Sequence, residues 1–266
     1  MSESNRPIPP TTYSKEYFLT ECDGYAEYLE SGGASLTQRL RALEKFLSVR
    51  PGMKVLDVGC GRGEMIVHCA MNGTLAVGID YSKDALGLAQ QAITLARDQN
   101  VETWITPYVS ASNAKHLPFA DGVFDRVIMS DIVEHLYPGE LWTALEEIYR
   151  VLALGGELLI HTMPNLWYYC YGYPLFRLVQ RLRGVSLPVD PRERFCFSHV
   201  HVNEQTPHTL GKAMSSIGFS YWRVWLYDYR EYTQYSPAMR YIMRLLTRLP
   251  IVKQIFCDDI FGAARK

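Results

Sequence analysis

The chain has 266 residues, of which 48% are hydrophobic, which is enough to bury the core of one large domain or of a domain with an added cap. Its 27 basic and 28 acidic residues nearly cancel, so we expect no nucleic-acid partner, since such a partner usually requires a basic excess. The cysteines form no CxxC pair, residues 1–12 lack the features of a signal peptide, and no run approaches the roughly 20 apolar residues of a membrane span; these features predict a cytoplasmic protein with reduced thiols.

Hydrophobic periodicity predicts helices and strands in alternation along the chain. A first long helix begins after an N-cap at Ser35 and runs to about Val49, where Pro51 and Gly52 stop it. Strands are predicted over residues 54–58, 75–79, 104–109, 124–129 and 157–162, with helices over about 64–72, after Ser82 and over 141–151. Two further strands are predicted over 221–229 and 260–264. This alternation implies right-handed crossovers and a mostly parallel sheet.

The pattern divides the chain into four parts. Residues 1–34 are predicted to form an N-terminal tail with capping helices, and residues 35–165 the α/β core. About fifty residues after strand five, rich in Tyr, Pro and Arg, fit no simple strand–helix unit, so residues 166–217 are predicted to be an inserted substrate cap. Residues 218–266 then complete the core with two strands and an amphipathic helix.

Three glycines follow the first strand directly, at positions 59, 61 and 63. In an open parallel sheet, ligands bind beyond the carboxyl ends of the strands, and glycines allow the backbone to approach a ligand closely. A dinucleotide fingerprint would need a glycine at position 64, which is occupied by Glu64. The run also lacks the lysine of a P-loop, so a triphosphate ligand is disfavoured.

The run from Asp57 to Gly63 resembles the first motif of the class I S-adenosylmethionine (SAM) dependent methyltransferases. The resemblance continues in the right order over about residues 35–165, through Asp80 and the segments 117–125, 130–136, 154–156 and 161–165. Leu154 stands where the family usually has proline. The resemblance implies a Rossmann-like α/β fold, with helices on both faces of a seven-stranded sheet, and SAM as cofactor.

The same resemblance implies which residues hold the cofactor. Asp80 would accept hydrogen bonds from both ribose hydroxyls, and Tyr81 would pack on the adenine. Asn113 precedes Ala114 where the family commonly has aspartate, but an asparagine oxygen can still accept a bond from the adenine amino group. The complete set of predicted cofactor residues is Asp57, Gly59, Cys60, Gly61, Gly63, Asp80, Tyr81, Asn113, Ala114 and Ser130.

An oxygen acceptor must lose a proton, so the reaction requires a general base. His135 follows the fourth strand, and His199 and His201 lie in the predicted cap; these three are the predicted catalytic residues. His161 is a further candidate, but strand alternation favours its burial. For each of these histidines the alternative is a hydrogen-bonded structural role.

The stretch Asp131-Ile-Val-Glu134-His135 resembles the acid-x-x-Glu-His stretch of the ubiquinone-pathway O-methyltransferases. In some of those enzymes the three side chains bind a divalent cation near the acceptor. Many methyltransferases carry Glu-His-Leu here without a metal, at the start of a helix. We therefore assign no metal and keep Asp131, Glu134 and His135 as the residues that would hold one.

Two basic amphipathic stretches and an aromatic cluster bear on the acceptor. The stretches cover residues 175–183 and 239–249, and their apolar stripes are compatible with packing on the body of the protein, with a homodimer interface or with peripheral membrane contact. The aromatic residues are Trp167, Tyr168, Tyr169, Tyr171 and Tyr173, which suit an aromatic, lipid-linked or glycan acceptor. We predict O-methylation of a small molecule or glycan in a biosynthetic pathway. N- or C-methylation, RNA or protein methylation, and SAM binding without catalysis are the alternatives.

Overall fold

The computed structural model describes residues 7–98, 104–194, 198–233 and 235–266. Its strands are β1 (Lys54–Val58), β2 (Leu75–Asp80), β3 (Tyr108–Ala111), β4 (Phe124–Ser130), β5 (Leu152–Thr162), β6 (Tyr221–Leu226) and β7 (Ile260–Arg265). They form one sheet in the order β3-β2-β1-β4-β5-β7-β6, in which only β7 runs antiparallel to its neighbours. The predicted α/β fold with a seven-stranded, mostly parallel sheet is confirmed.

Helices cover both faces of the sheet, and each face has its own apolar core. The helices are α1 (Lys15–Thr20), α2 (Tyr25–Ser31), α3 (Gln38–Leu47), α4 (Glu64–Met71), α5 (Lys83–Arg97), α6 (Pro138–Val151), α7 (Tyr173–Leu182), α8 (Pro207–Ile217), α9 (Pro237–Arg248) and α10 (Lys253–Phe256). On one face α6 and α8 pack together, and on the other α3, α4 and α5 do. Among the described residues, no helix is long and apolar enough to cross a membrane.

The positions of the helices follow from their first residues. Ser82 caps α5 by accepting a bond from the amide of Ala85, and Thr206 caps α8 in the same way. Pro138 and Pro207 occupy the first turns of α6 and α8, where a missing amide proton costs nothing. Because Ser82 caps α5 only two residues after β2 ends, the turn between them lies at the carboxyl edge of the sheet.

Several predicted boundaries differ from the structure. The first long helix begins at Gln38, because the side chain of Thr37 and not Ser35 accepts the capping bond, from Leu40. The third strand begins at Tyr108 and not at residue 104, since Pro107 has no amide proton to donate to a ladder. The predicted strand over 221–229 ends at residue 226, and β5 begins five residues before its predicted start.

The segment predicted to be an inserted cap contains one helix of the core. Leu210 and Met214 of α8 are fully buried in the main apolar core beside α6. The prediction of a cap over 166–217 therefore extended too far at its C-terminal end, because the apolar spacing of α8 belongs to a helix that flanks the sheet. The described residues between β5 and α8 lie outside that core cluster.

Candidate active site

A cavity of about 290 Å³ lies at the carboxyl ends of β1, β2, β4 and β5. One part of its wall is the glycine loop after β1, and another comprises the segments after β2, β3 and β4. The remaining wall comes from the N-terminal helices and from the residues around Tyr169 and His201. Because the ends of parallel strands meet at one edge, residues far apart in sequence face each other here.

The glycines of the loop after β1 serve two purposes: two line the cavity, and the third allows two helices to pack closely. Gly59 and Gly61 line the cavity with φ values of 74° and 53°, in the left-handed region that favours glycine. The amides of Gly59 and Cys60 bond back to β2, and Cys60 also lines the cavity. Gly63 does not line the cavity; a Cβ atom at this position would lie 2.9 Å from the Cβ of Ala89. The structure thus places Gly63 at the contact between α4 and α5.

The side chain of Asp57 lines the cavity and is buried. Its carboxylate has no hydrogen-bond partner among the described residues. Burial, together with the nearby carboxylates of Asp80 and Glu64, raises its pKa to about 8. A buried carboxylate in such a position is stabilised by a cation that enters the cavity. The α-amino group of SAM is a cation of this kind.

Asp80 ends β2 and is held by the backbone. The amide of Gly61 donates to one carboxylate oxygen at 3.1 Å, and the amide of Ser82 donates to the other at 2.8 Å. Burial raises the pKa of Asp80, while these amide bonds oppose the rise. Each oxygen retains acceptor capacity toward the cavity, which suits two neighbouring hydroxyl groups.

The other predicted cofactor residues after β2, β3 and β4 also line the cavity. Tyr81 is half-buried, and Ala114 is buried. The side-chain oxygen of Asn113 accepts a bond from the amide of Lys115 at 3.0 Å, which leaves it one further lone pair. Ser130 donates to the carboxylate of Asp131 at 2.9 Å. The adenine role of Asn113 stays a prediction.

The three predicted catalytic histidines occupy different positions. His135 and His201 line the cavity, with ring centroids 5.0 Å apart. His199 is exposed on a short turn and does not line the cavity. The Nδ1 atom of His135 lies 3.1 Å from the carbonyl oxygen of Val200. Because a carbonyl can only accept, Nδ1 carries the proton, and Nε2 has a free lone pair.

His161 is buried in β5 and belongs to an ionic chain beside the cavity. Its ring nitrogens lie 2.8 Å from a carboxylate oxygen of Asp131 and 3.3 Å from one of Asp259. Burial opposes the charged ring, but these two carboxylates outweigh it and raise the pKa of His161 to about 9. Arg39 approaches Asp131 at 3.2 Å, and the two cations lower the pKa of that carboxyl despite its burial. His161 is thus a charged structural residue, as burial in a strand indicates.

These contacts also bear on the three residues that would hold a metal. Both carboxylate oxygens of Asp131 already have partners. The ligand atoms that come within 4.8 Å of one another belong to Glu134, His135 and His201. Glu134 accepts a bond from Thr162 at 2.7 Å, and burial next to Asp131 raises its pKa. The structure therefore brings together a different set from the predicted one.

Residues of the N-terminal segment cover the cavity; the sequence predicts capping helices here but assigns them no residue of the site. Tyr13, Tyr17 and Phe18 line it, and the ring of Tyr13 lies 5.5 Å from that of His135. The buried guanidinium of Arg62, paired with Glu64 at 2.8 Å, holds this segment in place. Its nitrogens donate to the backbone oxygens of Phe18, Cys22 and Asp23. The aromatic composition of residues 13–30 was the available signal.

The residues present fit SAM. The unpartnered carboxylate of Asp57 suits its ammonium group, and the amide-held carboxylate of Asp80 suits its ribose hydroxyls. Gly59, Gly61 and Tyr81 line the same cavity, and the contact of Tyr81 with the adenine stays a prediction. When bound, SAM supplies an electrophilic methyl group on a sulfonium.

Comparison with known proteins agrees with this interpretation. The model of the family described as "Methyltransferase domain" matches residues 56–160. An uncharacterized methyltransferase of Synechocystis sp. is 34% identical over 123 residues, covering 46% of this chain and 53% of that protein. A malonyl-(acyl-carrier protein) O-methyltransferase of Erwinia billingiae is 28% identical over 178 residues, covering 66% of this chain and 63% of that protein. The chain thus matches less than two thirds of the length of either relative.

Solved structures show the same fold. The phosphoethanolamine N-methyltransferase 2 of Haemonchus contortus, in complex with phosphomonomethylethanolamine and S-adenosylhomocysteine, has a TM-score of 0.58 at 18% identity, covering 95% of this chain and 60% of that chain. The names of these similar proteins differ in the acceptor atom, so they do not identify the acceptor of this chain. Residues 56–160 thus match a methyltransferase domain, and the solved structures share the fold of this chain.

Proposed function

We propose that this chain transfers the methyl group of SAM to a hydroxyl oxygen of a small molecule or glycan. The observation that carries the proposal is the position of His135 in the cavity wall together with the hydrogen bond that orients its ring. Burial, helped by the neighbouring His201, lowers the pKa of His135 and favours the neutral ring, while the nearby carboxylate of Asp131 raises it. Its Nδ1 proton is held by the Val200 carbonyl, and its Nε2 lone pair is available in the cavity wall.

An oxygen acceptor needs such a group, because the hydroxyl proton must leave as the new carbon–oxygen bond forms. In the proposed reaction Nε2 of His135 would take the hydroxyl proton, and SAM, when bound, would supply the methyl group to the acceptor oxygen. The imidazolium that forms is stabilised by the nearby carboxylate of Asp131. An amine acceptor that binds as its free base would not need this proton transfer before attack.

The wall around His135 supports a partly apolar acceptor. Tyr169, Met163 and Val200 line this side of the cavity, and Tyr169 and Val200 are buried. The guanidinium of Arg192 lies 5.4 Å above the ring of Tyr169 and fixes its orientation. An aromatic ring at the wall can stack on an aromatic acceptor or on the face of a sugar. Tyr171, in contrast, is 59% exposed and does not line the cavity.

The first experiment measures SAM binding and the class of acceptor. Titration calorimetry should detect SAM binding; absence of measurable affinity would refute the cofactor assignment. Tritiated SAM is then incubated with the protein and with small-molecule extracts, RNA fractions or protein fractions. We expect label in the small-molecule fraction, as a methyl ether by mass spectrometry. Label on a nitrogen or carbon atom, or in RNA or protein, would contradict O-methylation of a small molecule.

The second experiment tests His135 directly. His135→Gln should lower kcat by about 100- to 10,000-fold, because proton transfer by a positioned base contributes that much. Its affinity for SAM should change by less than about threefold, since the ring bonds to the carbonyl of Val200, whereas Asp80 is held by backbone amides. The matched control is His199→Gln, at an exposed position outside the cavity, which should keep full activity. Equal losses in both variants would remove His135 from the mechanism.

A further inference from the structure

The helix α7 presents its apolar face to solvent. Leu175, Leu178, Val179 and Leu182 are 49%, 55%, 44% and 81% exposed. The opposite side of the helix, with Tyr173 and the polar Gln180, is buried against the protein. A surface helix of a globular protein normally buries its apolar stripe and exposes its polar side. In α7 this arrangement is reversed, so its leucines are available to something outside the chain.

The helix α9 shows a related arrangement. Thr247 is buried and Met243 is half-buried on the side that faces the protein. Tyr241, Ile242, Leu245 and Leu249 are between 42% and 70% exposed. The arginines 240, 244 and 248 lie at helical spacing between the buried side and this exposed apolar stripe. Packing on the protein therefore uses only part of the apolar surface of α9.

The two helices belong to one region of the molecule. The side-chain amide of Asn165, just after β5, donates to the backbone oxygens of Gln254 and Cys257, both at 2.9 Å. The turn before α7 packs on α10 so closely that a Cβ atom at Gly172 would lie 1.8 Å from the carbonyl oxygen of Ile255. Since α10 in turn contacts α9, the two amphipathic segments are linked through α10 and the turn before α7. We name the exposed face of residues 166–189 and 236–257 the α7–α9 surface.

This surface concentrates both apolar exposure and positive charge. It holds twelve of the twenty exposed large hydrophobic residues found in the described part of the chain. Its two segments contain six arginines, one lysine and no aspartate or glutamate, in a chain whose net charge is -1. Within residues 7–98, 104–194, 198–233 and 235–266, none of these seven cations forms an ion pair. The surface thus lacks its own counterions.

We propose that the α7–α9 surface binds an anionic phospholipid bilayer. Leucine, isoleucine and tyrosine side chains that emerge between arginines are what the interface of an anionic membrane accepts: apolar groups enter the acyl boundary and cations meet the headgroups. A symmetric dimer through the same surface would place seven cations against seven cations, because such an interface pairs a surface with itself. Charge complementarity therefore favours a lipid surface over a second copy.

The test is sedimentation of the full chain with vesicles. Vesicles of phosphatidylcholine with about a third phosphatidylglycerol should bind the protein at least about tenfold more tightly than pure phosphatidylcholine vesicles, and added salt should weaken the binding. The double variant Leu178→Ser/Leu182→Ser should lose about tenfold in vesicle affinity. The control, Leu95→Ser/Leu154→Ser, changes two leucines that are 51% and 91% exposed elsewhere, and should bind as the wild type does.

Three results would overturn the proposal. One is equal binding to neutral and anionic vesicles, and another is equal loss in the two double variants. The third is a wild-type dimer that ignores vesicles and becomes monomeric on Leu178→Ser/Leu182→Ser, as measured by light scattering. Because all changed side chains are exposed, thermal unfolding should be unaltered in both variants. Binding is measured without SAM or acceptor, so the outcome is independent of the proposed methyl transfer.

Discussion

Asp57 and Asp80 end neighbouring parallel strands and face the same cavity, yet their surroundings differ. The carboxylate of Asp80 receives two backbone amide bonds, whereas that of Asp57 receives none among the described residues. The pKa of Asp57 is raised to about 8, and its carboxylate form is disfavoured in the folded chain. Between the ordinary pKa of 3.8 and about 8, the free protein therefore loses stability as pH rises. A cation bound beside Asp57 stabilises its carboxylate and so lowers its pKa again.

This state of Asp57 predicts a pH dependence of SAM affinity. The ammonium group of SAM favours the carboxylate, which dominates only above about pH 8, so affinity should fall as pH is lowered below about 8, by up to tenfold per pH unit. Calorimetry in buffers with different ionisation enthalpies should show proton release on binding below that pH.

Two variants separate this effect from general pH sensitivity. Asp57→Asn should bind SAM about ten- to a hundredfold more weakly, because a charge-assisted contact is lost, and its affinity should not vary with pH in this window. Asp98→Asn, at an exposed position paired with Arg97, should follow the wild-type profile. A pH-independent wild type would show that Asp57 does not meet the ammonium group.

Residues that belong to short motifs are predictable from the sequence. Asp57, Gly59 and Asp80 could be placed at the cavity because each lies at the carboxyl end of a strand whose apolar run is unambiguous. His199 and His201 could not be separated, because they lie two residues apart and the sequence there shows no helical or strand periodicity. Only the fold brings His201 to His135 and leaves His199 exposed. The cover formed by Tyr13 has no local signature, because it depends on contacts with residues far along the chain.

At the scale of elements, Gly63 sets the approach of α4 to α5. A Cβ atom there would lie 2.9 Å from the Cβ and 3.0 Å from the Cα of Ala89, and its φ is 84°. Gly63→Ala should therefore lower the free energy of unfolding by about 2–4 kcal/mol, through backbone strain and overpacking together. Urea unfolding followed by circular dichroism measures this loss.

Gly155 provides the matched control for Gly63. Its φ is 76°, and a Cβ atom added there would meet nothing within 4 Å. Gly155→Ala should cost only the strain of a left-handed residue, about 1 kcal/mol. If both alanine variants lost the same stability, the close contact between α4 and α5 would not be the reason for glycine at position 63.

The amphipathic helices show a limit of hydrophobic periodicity as a predictor of packing. A helical stripe identifies α7 and α9 as amphipathic, but it does not state which side faces the protein. The buried side of α7 is chosen by Tyr173, whose hydroxyl donates to the carbonyl of Pro188, and by the guanidinium of Arg177, which donates to that of Leu187. These contacts join residues up to fifteen positions apart in a loop, so only the folded chain reveals them.

At the scale of the whole molecule, the N-terminal segment connects the core to the cavity. Tyr13, Phe18 and Tyr28 belong to the apolar core on the α3–α5 face, and two of them also line the cavity. The segment is held by Arg62, which is 4% exposed and lies in the glycine loop itself. Binding of a ligand to this loop and closure of the N-terminal segment are therefore coupled through one side chain.

This coupling predicts the behaviour of variants at Arg62. Arg62→Met removes the bonds to three backbone oxygens, so residues 13–31 should be cleaved faster in limited proteolysis, and SAM should bind about tenfold more weakly. Because that change also leaves the buried Glu64 without its partner, the double variant Arg62→Met/Glu64→Met is needed. In the double variant the sheet should regain much of its stability, while cleavage of the segment stays fast.

Saturating SAM should slow cleavage of the wild type, since a ligand that contacts the closed segment favours closure. If the double variant resisted cleavage as the wild type does, apolar packing of Phe18 and Tyr28 alone would hold the segment, and the glycine loop would not control it.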